Sequence, residues 1–164
     1  MKILVLGSSG EIGTTLSLNL LSQGHEVIGV DKRENTWTDK IPTTIYDLSI
    51  GNTGIPKDSY DIVVNFAANA KVHELVEFPE RALDNIKIVF NVLEYCRQEK
   101  KPLVFSSSRE VYGDIMRYTT NEQSSDFHFS ESPYSASKIS GEALIYSYAK
   151  CYQLPYLVLF SFYM

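Results

Sequence analysis

The chain has 164 residues, 44% of them hydrophobic and 21% charged, with a formal net charge of −5. That length suits one domain with a buried core, and the acidic balance argues against nucleic acid or an anionic membrane as the main partner. A small anionic ligand stays compatible, because backbone amides bind phosphate without net positive charge.

"KILVLG" (2–7) is a continuous apolar run ending in glycine, as a buried parallel strand requires. "EIGTTLSLNLLSQG" (11–24) carries Ile12, Leu16, Leu20 and Leu21 at helical spacing and stops at Gly24. "HEVIGVD" (25–31), "TTIYDL" (43–48) and "YDIVVNFAA" (60–68) read as three further strands. A helix follows over about 79–100, a fifth strand in "KPLVFSSS" (101–108), a long polar loop over 114–131, a second long helix over 132–153 and a sixth strand in "LPYLVLFSFYM". Ser132 is placed to cap that second helix, and Pro133 suits its first position. Strands alternating with helices predict right-handed crossovers and a parallel sheet covered on both faces. The expected fold is a Rossmann-type doubly wound sheet of strand order 3-2-1-4-5-6.

The first strand runs into "GSSGEIG", with Gly7, Gly10 and Gly13 three residues apart. The first glycine permits a tight turn, the middle one lets a pyrophosphate approach the backbone, and the last lets helix and strand pack closely. The helix start that follows, through Glu11 and Ile12, presents free amides and positive dipole to phosphate. Asp31 ends the second strand, 18 residues beyond Gly13. A carboxylate there accepts hydrogen bonds from a ribose diol and repels a 2′-phosphate, which favours NAD over NADP. Lys32 and Arg33 follow directly and offer charge that a 2′-phosphate could use. Late in the chain, Tyr134 and Lys138 fall one turn apart on one helix face.

Taken in order, these motifs resemble the extended short-chain dehydrogenase/reductase family, specifically its nucleotide-sugar epimerases and dehydratases of the UDP-glucose 4-epimerase type. The match runs from Met1 to about Leu159. "YDL" resembles the pair that contacts adenine, implying Asp47 and Leu48. "VNFAAN" resembles the segment lining the cofactor, implying Phe66, Ala67 and Ala68; many members carry His where Asn65 stands. "LDNIKIVFNVLEYC" resembles the family's Asn-containing helix and implies Asn85 near the active site. "FSSSREVYGD" implies Ser108 as the catalytic serine, and "YSASK" matches the Tyr-x-x-x-Lys motif.

The resemblance implies NAD as cofactor, a UDP- or dTDP-sugar as substrate, and Tyr134 as the base that forms a transient 4-keto sugar, with Ser108 holding the hydroxyl. Free tyrosine titrates near ~10, so such a base needs its pKa lowered by roughly 3, or about 4 kcal/mol. Lys138 and oxidised nicotinamide are the expected sources of positive charge. Glu110 stands where dehydratases and decarboxylases of the family carry a glutamate, which keeps those reactions as alternatives. Arg109 replaces the acid often seen in the 4,6-dehydratases, which weakens the dehydratase reading. Members often dimerise through two long helices, here 79–100 and 132–153, with Ile86, Phe90, Leu93, Leu144 and Tyr148 as the candidate apolar residues; the alternative is that all of these face the sheet.

The family also continues past the strand corresponding to "YLVLF" with an arginine and a substrate lobe. Residues 1–164 are therefore expected to be the cofactor half, with the lobe missing and turnover low; a third reading is an NAD-binding protein without turnover. Cys96 and Cys151 lie outside any Cys-x-x-Cys pattern, and His25, His73 and His128 are scattered. The expectation is free thiols, no metal site and a cytoplasmic location. No apolar run approaches the roughly 20 residues that span a bilayer.

Overall fold

Side chains alternate across a strand, so Ile3 and Val5 point to one face of the first strand and Leu4 and Leu6 to the other. Both rows are buried, which demands a layer of helix on each side of the sheet. The computed structural model, which describes residues 1–113 and 130–161, supplies both layers. In chain order the elements are β1 (Lys2–Leu6), α1 (Glu11–Ser22), β2 (Glu26–Asp31), β3 (Thr43–Ile45), β4 (Ile62–Asn65), α2 (Val72–Glu77), α3 (Glu80–Glu99), β5 (Leu103–Ser108), a 3-10 turn (Arg109–Tyr112), α4 (Pro133–Tyr152) and β6 (Tyr156–Ser161).

All six strands are parallel in one sheet of order β3-β2-β1-β4-β5-β6. The expected order is therefore the observed one. On one face Ile3, Val5, Val27 and Val64 pack with Leu16, Leu20 and Leu21 of α1. On the other, Leu4, Leu6, Val63, Leu103 and Phe105 pack with Val89, Val92 and Leu93 of α3 and Ile145 of α4. The Tyr148 hydroxyl donates to Glu94 Oε1 at 2.7 Å and ties α4 to α3.

The α4 cap forms as its sequence predicts. Ser132 Oγ accepts from Ser135 N at 3.1 Å, Ser135 Oγ accepts from Ser132 N at 3.0 Å, and Pro133 occupies the first turn. Two readings need correction. The short helix α2 was not foreseen. Ile12 is 44% exposed rather than part of the buried stripe; α1 turns Gly13, Thr14 and Ser17 inward instead, because its start lies too near β1 for large side chains. The candidate dimer residues also divide. Leu93 and Tyr148 are inside the core, while Phe90 is 47% exposed. The predicted loop 114–131 falls almost wholly outside the described residues.

Among the described residues no helix is long and apolar enough to cross a membrane, and no group of His, Cys, Asp and Glu is arranged to hold a metal ion.

Candidate functional site

Strand order reverses between β1 and β4, and a crevice opens there beyond the carboxyl ends of the strands. Gly7 follows β1 with φ of +82°, and a Cβ on it would stand 2.7 Å from Ala67 N and 2.8 Å from Phe66 C. This is where the segments after β1 and β4 touch. A Cβ on Gly13 would lie 2.1 Å from the Gly7 carbonyl oxygen, so helix and turn interlock through two of the three motif glycines. Gly10 differs. Its nearest neighbour to an added Cβ is the Gly7 carbonyl oxygen at 3.4 Å, and the cap of α1 carries no side-chain hydrogen bond. The backbone there is bare toward the crevice, as a phosphate cradle must be.

The crevice has a volume of about 330 Å³, and Gly7, Gly10, Asp31, Lys32, Asp47, Leu48, Phe66, Ala67 and Ala68 all line it. Nine of the sequence-predicted cofactor residues thus meet at one wall. Asp31 is only 9% exposed. Its Oδ2 accepts from Ser9 N at 2.9 Å and its Oδ1 from Arg33 N at 3.1 Å, which fixes the carboxylate. Ser9 Oγ also donates to the Arg33 carbonyl at 2.9 Å. Lys32 Nζ donates to Asn69 Oδ1 at 3.1 Å. A hydrogen bond from the Ser49 backbone, helped by the charge of Lys32, holds the Asp47 carboxyl below the usual range. A second hollow of about 350 Å³ shares Lys32, Asp47, Asn69, Glu74 and Ile88 with the first. Glu11 and Ile12 face a separate open depression with Thr15, Leu16 and Asn19.

Ser108, Tyr134 and Lys138 do not line that crevice; they meet beside it, where β5 ends against α4. Tyr134 is 8% exposed and Lys138 is 6% exposed. Tyr134 packs with Val72 and Leu75 of α2, so the unforeseen helix walls the phenol. Lys138 Nζ donates to the Ser106 carbonyl at 2.8 Å and sits 5.0 Å from the Phe105 ring centre and 5.7 Å from that of Tyr134. Burial pushes the Lys138 ammonium down to about 8.

Burial also raises the Tyr134 phenol; the Ser108 hydroxyl pulls it down and the Glu110 carboxylate pushes it up. The expected lowering by Lys138 is therefore not the balance the protein's own groups strike. Desolvation in the α2–α4 wedge is the largest influence on the phenol, and Ser108 is the group that lowers it.

Glu110 accepts an ion pair from Arg109 at 3.4 Å, and its backbone N–H donates to Ser108 Oγ at 3.3 Å. Asn85 is buried and its amide is turned to the protein. Oδ1 accepts from Asn69 N at 2.7 Å, and Nδ2 donates to Asn69 O at 3.0 Å and Ser137 Oγ at 3.2 Å. It clamps the crevice loop to α4, between Tyr134 and Lys138. Sequence reading missed Ser9, Asn69, Ser107 and Glu142. For Glu142 a signal existed: it lies one helical turn beyond Lys138.

Comparison with known proteins gives a match of residues 3–163 to the family described as NAD dependent epimerase/dehydratase family. Protein CapI of Staphylococcus aureus is 32% identical over 177 residues, covering 94% of this chain and 52% of that protein. A UDP-glucose 4-epimerase of Halalkalibacterium halodurans is 31% identical, covering 97% of this chain and 49% of its own length. The crystal structure of UDP-glucose 4-epimerase from Brucella ovis in complex with NAD superposes with a TM-score of 0.87 at 26% identity, over 97% of this chain and 51% of that one. The chain spans about half the length of the curated relatives it matches.

Proposed function

The chain belongs to the NAD-dependent epimerase/dehydratase family, and within it we propose a nucleotide-sugar 4-epimerase-type role with Tyr134 as base. The observation that carries this reading is the meeting of Ser108, Tyr134 and Lys138 at the end of β5, on the same sheet edge as the glycine turn and Asp31. NAD, when bound, supplies the hydride acceptor and donor at the sugar carbon. The bare backbone at Gly10 and the start of α1 would hold its pyrophosphate, Asp31 its adenosine ribose, Asp47 and Leu48 its adenine, and Lys138 its nicotinamide ribose. The residues fit that group: a Cβ at Gly10 would fill the cradle, and Asp31 is already fixed at the wall. Ser108 would hold the 4-hydroxyl and Tyr134 would take its proton, giving a 4-keto sugar. Because burial keeps the Tyr134 phenol high in the protein alone, positive charge next to it is needed for proton transfer near neutrality.

A dehydratase or decarboxylase through Glu110 is the weaker reading, since Arg109 pairs with that carboxylate. Product analysis with UDP- and dTDP-sugars tests the proposal. Inverted configuration at C4 with unchanged mass supports it, loss of water or carbon dioxide moves the chemistry to Glu110, and NAD binding without conversion leaves a cofactor-binding protein.

NAD should bind more tightly than NADP, because the Asp31 carboxylate, fixed at the crevice, would repel the 2′-phosphate of NADP and the nearby Lys32 is engaged by Asn69. Asp31→Ala is expected to narrow the gap to within about tenfold, by removing a charge-assisted hydrogen bond from one cofactor and repulsion from the other. Calorimetry showing tighter NADP binding by the parent chain would refute the assignment. Exposed Leu83 and Phe90 on α3 and Tyr146 on α4 support a homodimer through those helices. Sedimentation showing a monomer at every concentration would refute that. Free Cys96 and Cys151 fit a cytoplasmic setting.

A further inference from the structure

We propose that Glu142 is a positioning residue for the Tyr134/Lys138 pair: from the next turn of α4 it grips Ser107 and keeps the Lys138 side chain a cation seated on the Ser106 carbonyl. The inference rests on the roles proposed above for Tyr134 and Lys138.

Tyr134, Lys138 and Glu142 occupy three successive turns of one face of α4. β5 ends in three consecutive serines, and each meets one of them. Ser108 faces Tyr134, the Ser106 carbonyl accepts from Lys138, and Ser107 donates its hydroxyl to Glu142. The helix is thereby indexed against the strand that carries Ser108. A slide of α4 by one turn would break all three contacts at once.

Gly141, the residue before Glu142, packs against Phe105 and Val89, while Glu142 is turned to the polar end of β5 at Ser107. Lys138 itself faces Tyr134 and Glu142 from α4, and the Phe105 ring and Ser106 carbonyl from β5. From α3 comes the amide of Asn85, through Ser137 beside it. On the 3-10 turn the ionisable neighbours are Glu110, whose charge acts on Tyr134, and Arg109, which pairs with it. Glu142 is the carboxylate whose charge acts on Lys138, and the attraction is mutual: burial lifts the Glu142 carboxyl, while Ser107 and the Lys138 charge hold it down.

The test is a titration of Lys138 in the purified chain with 13C-labelled lysine side chains, its resonance identified by its loss in Lys138→Arg. Glu142→Gln keeps an acceptor for Ser107 but removes the charge. Its Lys138 midpoint should fall by about one pH unit, an ordinary effect of one close opposite charge. At pH 7.5 the charged fraction would drop from about three-quarters to about one-quarter. Ser107→Ala removes the grip and leaves the charge, so its midpoint should move by less than a third as much. A Glu142→Gln midpoint within 0.3 unit of the parent, or an equal fall in Ser107→Ala, would overturn the proposal. If the glutamine variant does not fold, the parent chain suffices. Its Lys138 resonance should shift a second time as Glu142 protonates, and a single inflection across the folded range would overturn the proposal too. Neither measurement uses NAD or a sugar nucleotide, so its failure leaves the proposed function standing, and the reverse holds.

Discussion

Gly13→Ala is expected to lower the stability of the fold by about 3 kcal/mol, at the upper end for overpacking, and the melting temperature by roughly 10 °C. The added methyl would lie 2.1 Å from the Gly7 carbonyl oxygen, 2.9 Å from its carbonyl carbon and 3.0 Å from Ser8 Cα. All three are backbone atoms, so no rotamer change relieves the overlap. The turn must open, and α1 must lift from β1. Gly10→Ala is the informative partner. Gly10 has φ of −80°, which alanine adopts freely, and its added methyl meets nothing closer than 3.4 Å. Its folding penalty should stay below about 1 kcal/mol, while NAD affinity should fall at least about tenfold because the methyl would occupy the proposed phosphate cradle. Thermal unfolding and calorimetry on the two variants separate the roles. Equal stability losses, or unchanged NAD binding in Gly10→Ala, would contradict this division.

Lys138→Met should make the fold more stable near neutrality while weakening NAD binding. The ammonium is 6% exposed, and burial pushes it from 10.5 to about 8. A folded value below the unfolded one means that the unfolded chain holds the proton more tightly. The penalty is therefore fully present below about pH 8, and it fades as pH rises toward 10.5. The difference corresponds to about 3 kcal/mol. Removing the lysine also forfeits its hydrogen bond to the Ser106 carbonyl, worth about 1 kcal/mol. The net gain is about 2 kcal/mol, or roughly 5 °C at this chain length. The advantage of the variant should shrink between pH 8 and pH 10.5. A variant less stable than the parent at pH 7 would show that the carbonyl contact outweighs desolvation. NAD affinity should drop about 10- to 100-fold through loss of the charged contact proposed between Lys138 and the nicotinamide ribose. A residue that destabilises the fold it sits in points to function rather than packing.

The sheet and its order were legible because most strands are short apolar runs separated by helical stretches, and one long helix carries its own start signal. Ser132 and Pro133 announce α4 from four residues of local chemistry. The short helix α2 announces nothing: six residues give too little period to separate helix from loop. Its consequence is large, since Leu75 and Val72 are what bury Tyr134.

By itself the sequence determined the elements, the glycine spacing, the acid at the end of β2 and the one-turn separation of Tyr134 and Lys138. Those are local facts, encoded in periods of 2 and 3.6 residues. Protonation and partnership were decided only by the tertiary structure. Lys138 finds its acceptor 32 residues away at Ser106, Glu142 its donor 35 residues away at Ser107, and Asn85 its partner 52 residues away at Ser137. A side chain's pKa depends on how much water its neighbours exclude and which charges they bring. Those neighbours arrive through the crossovers of the sheet, so the spacing that places Lys138 one turn from Tyr134 does not reveal that burial governs both.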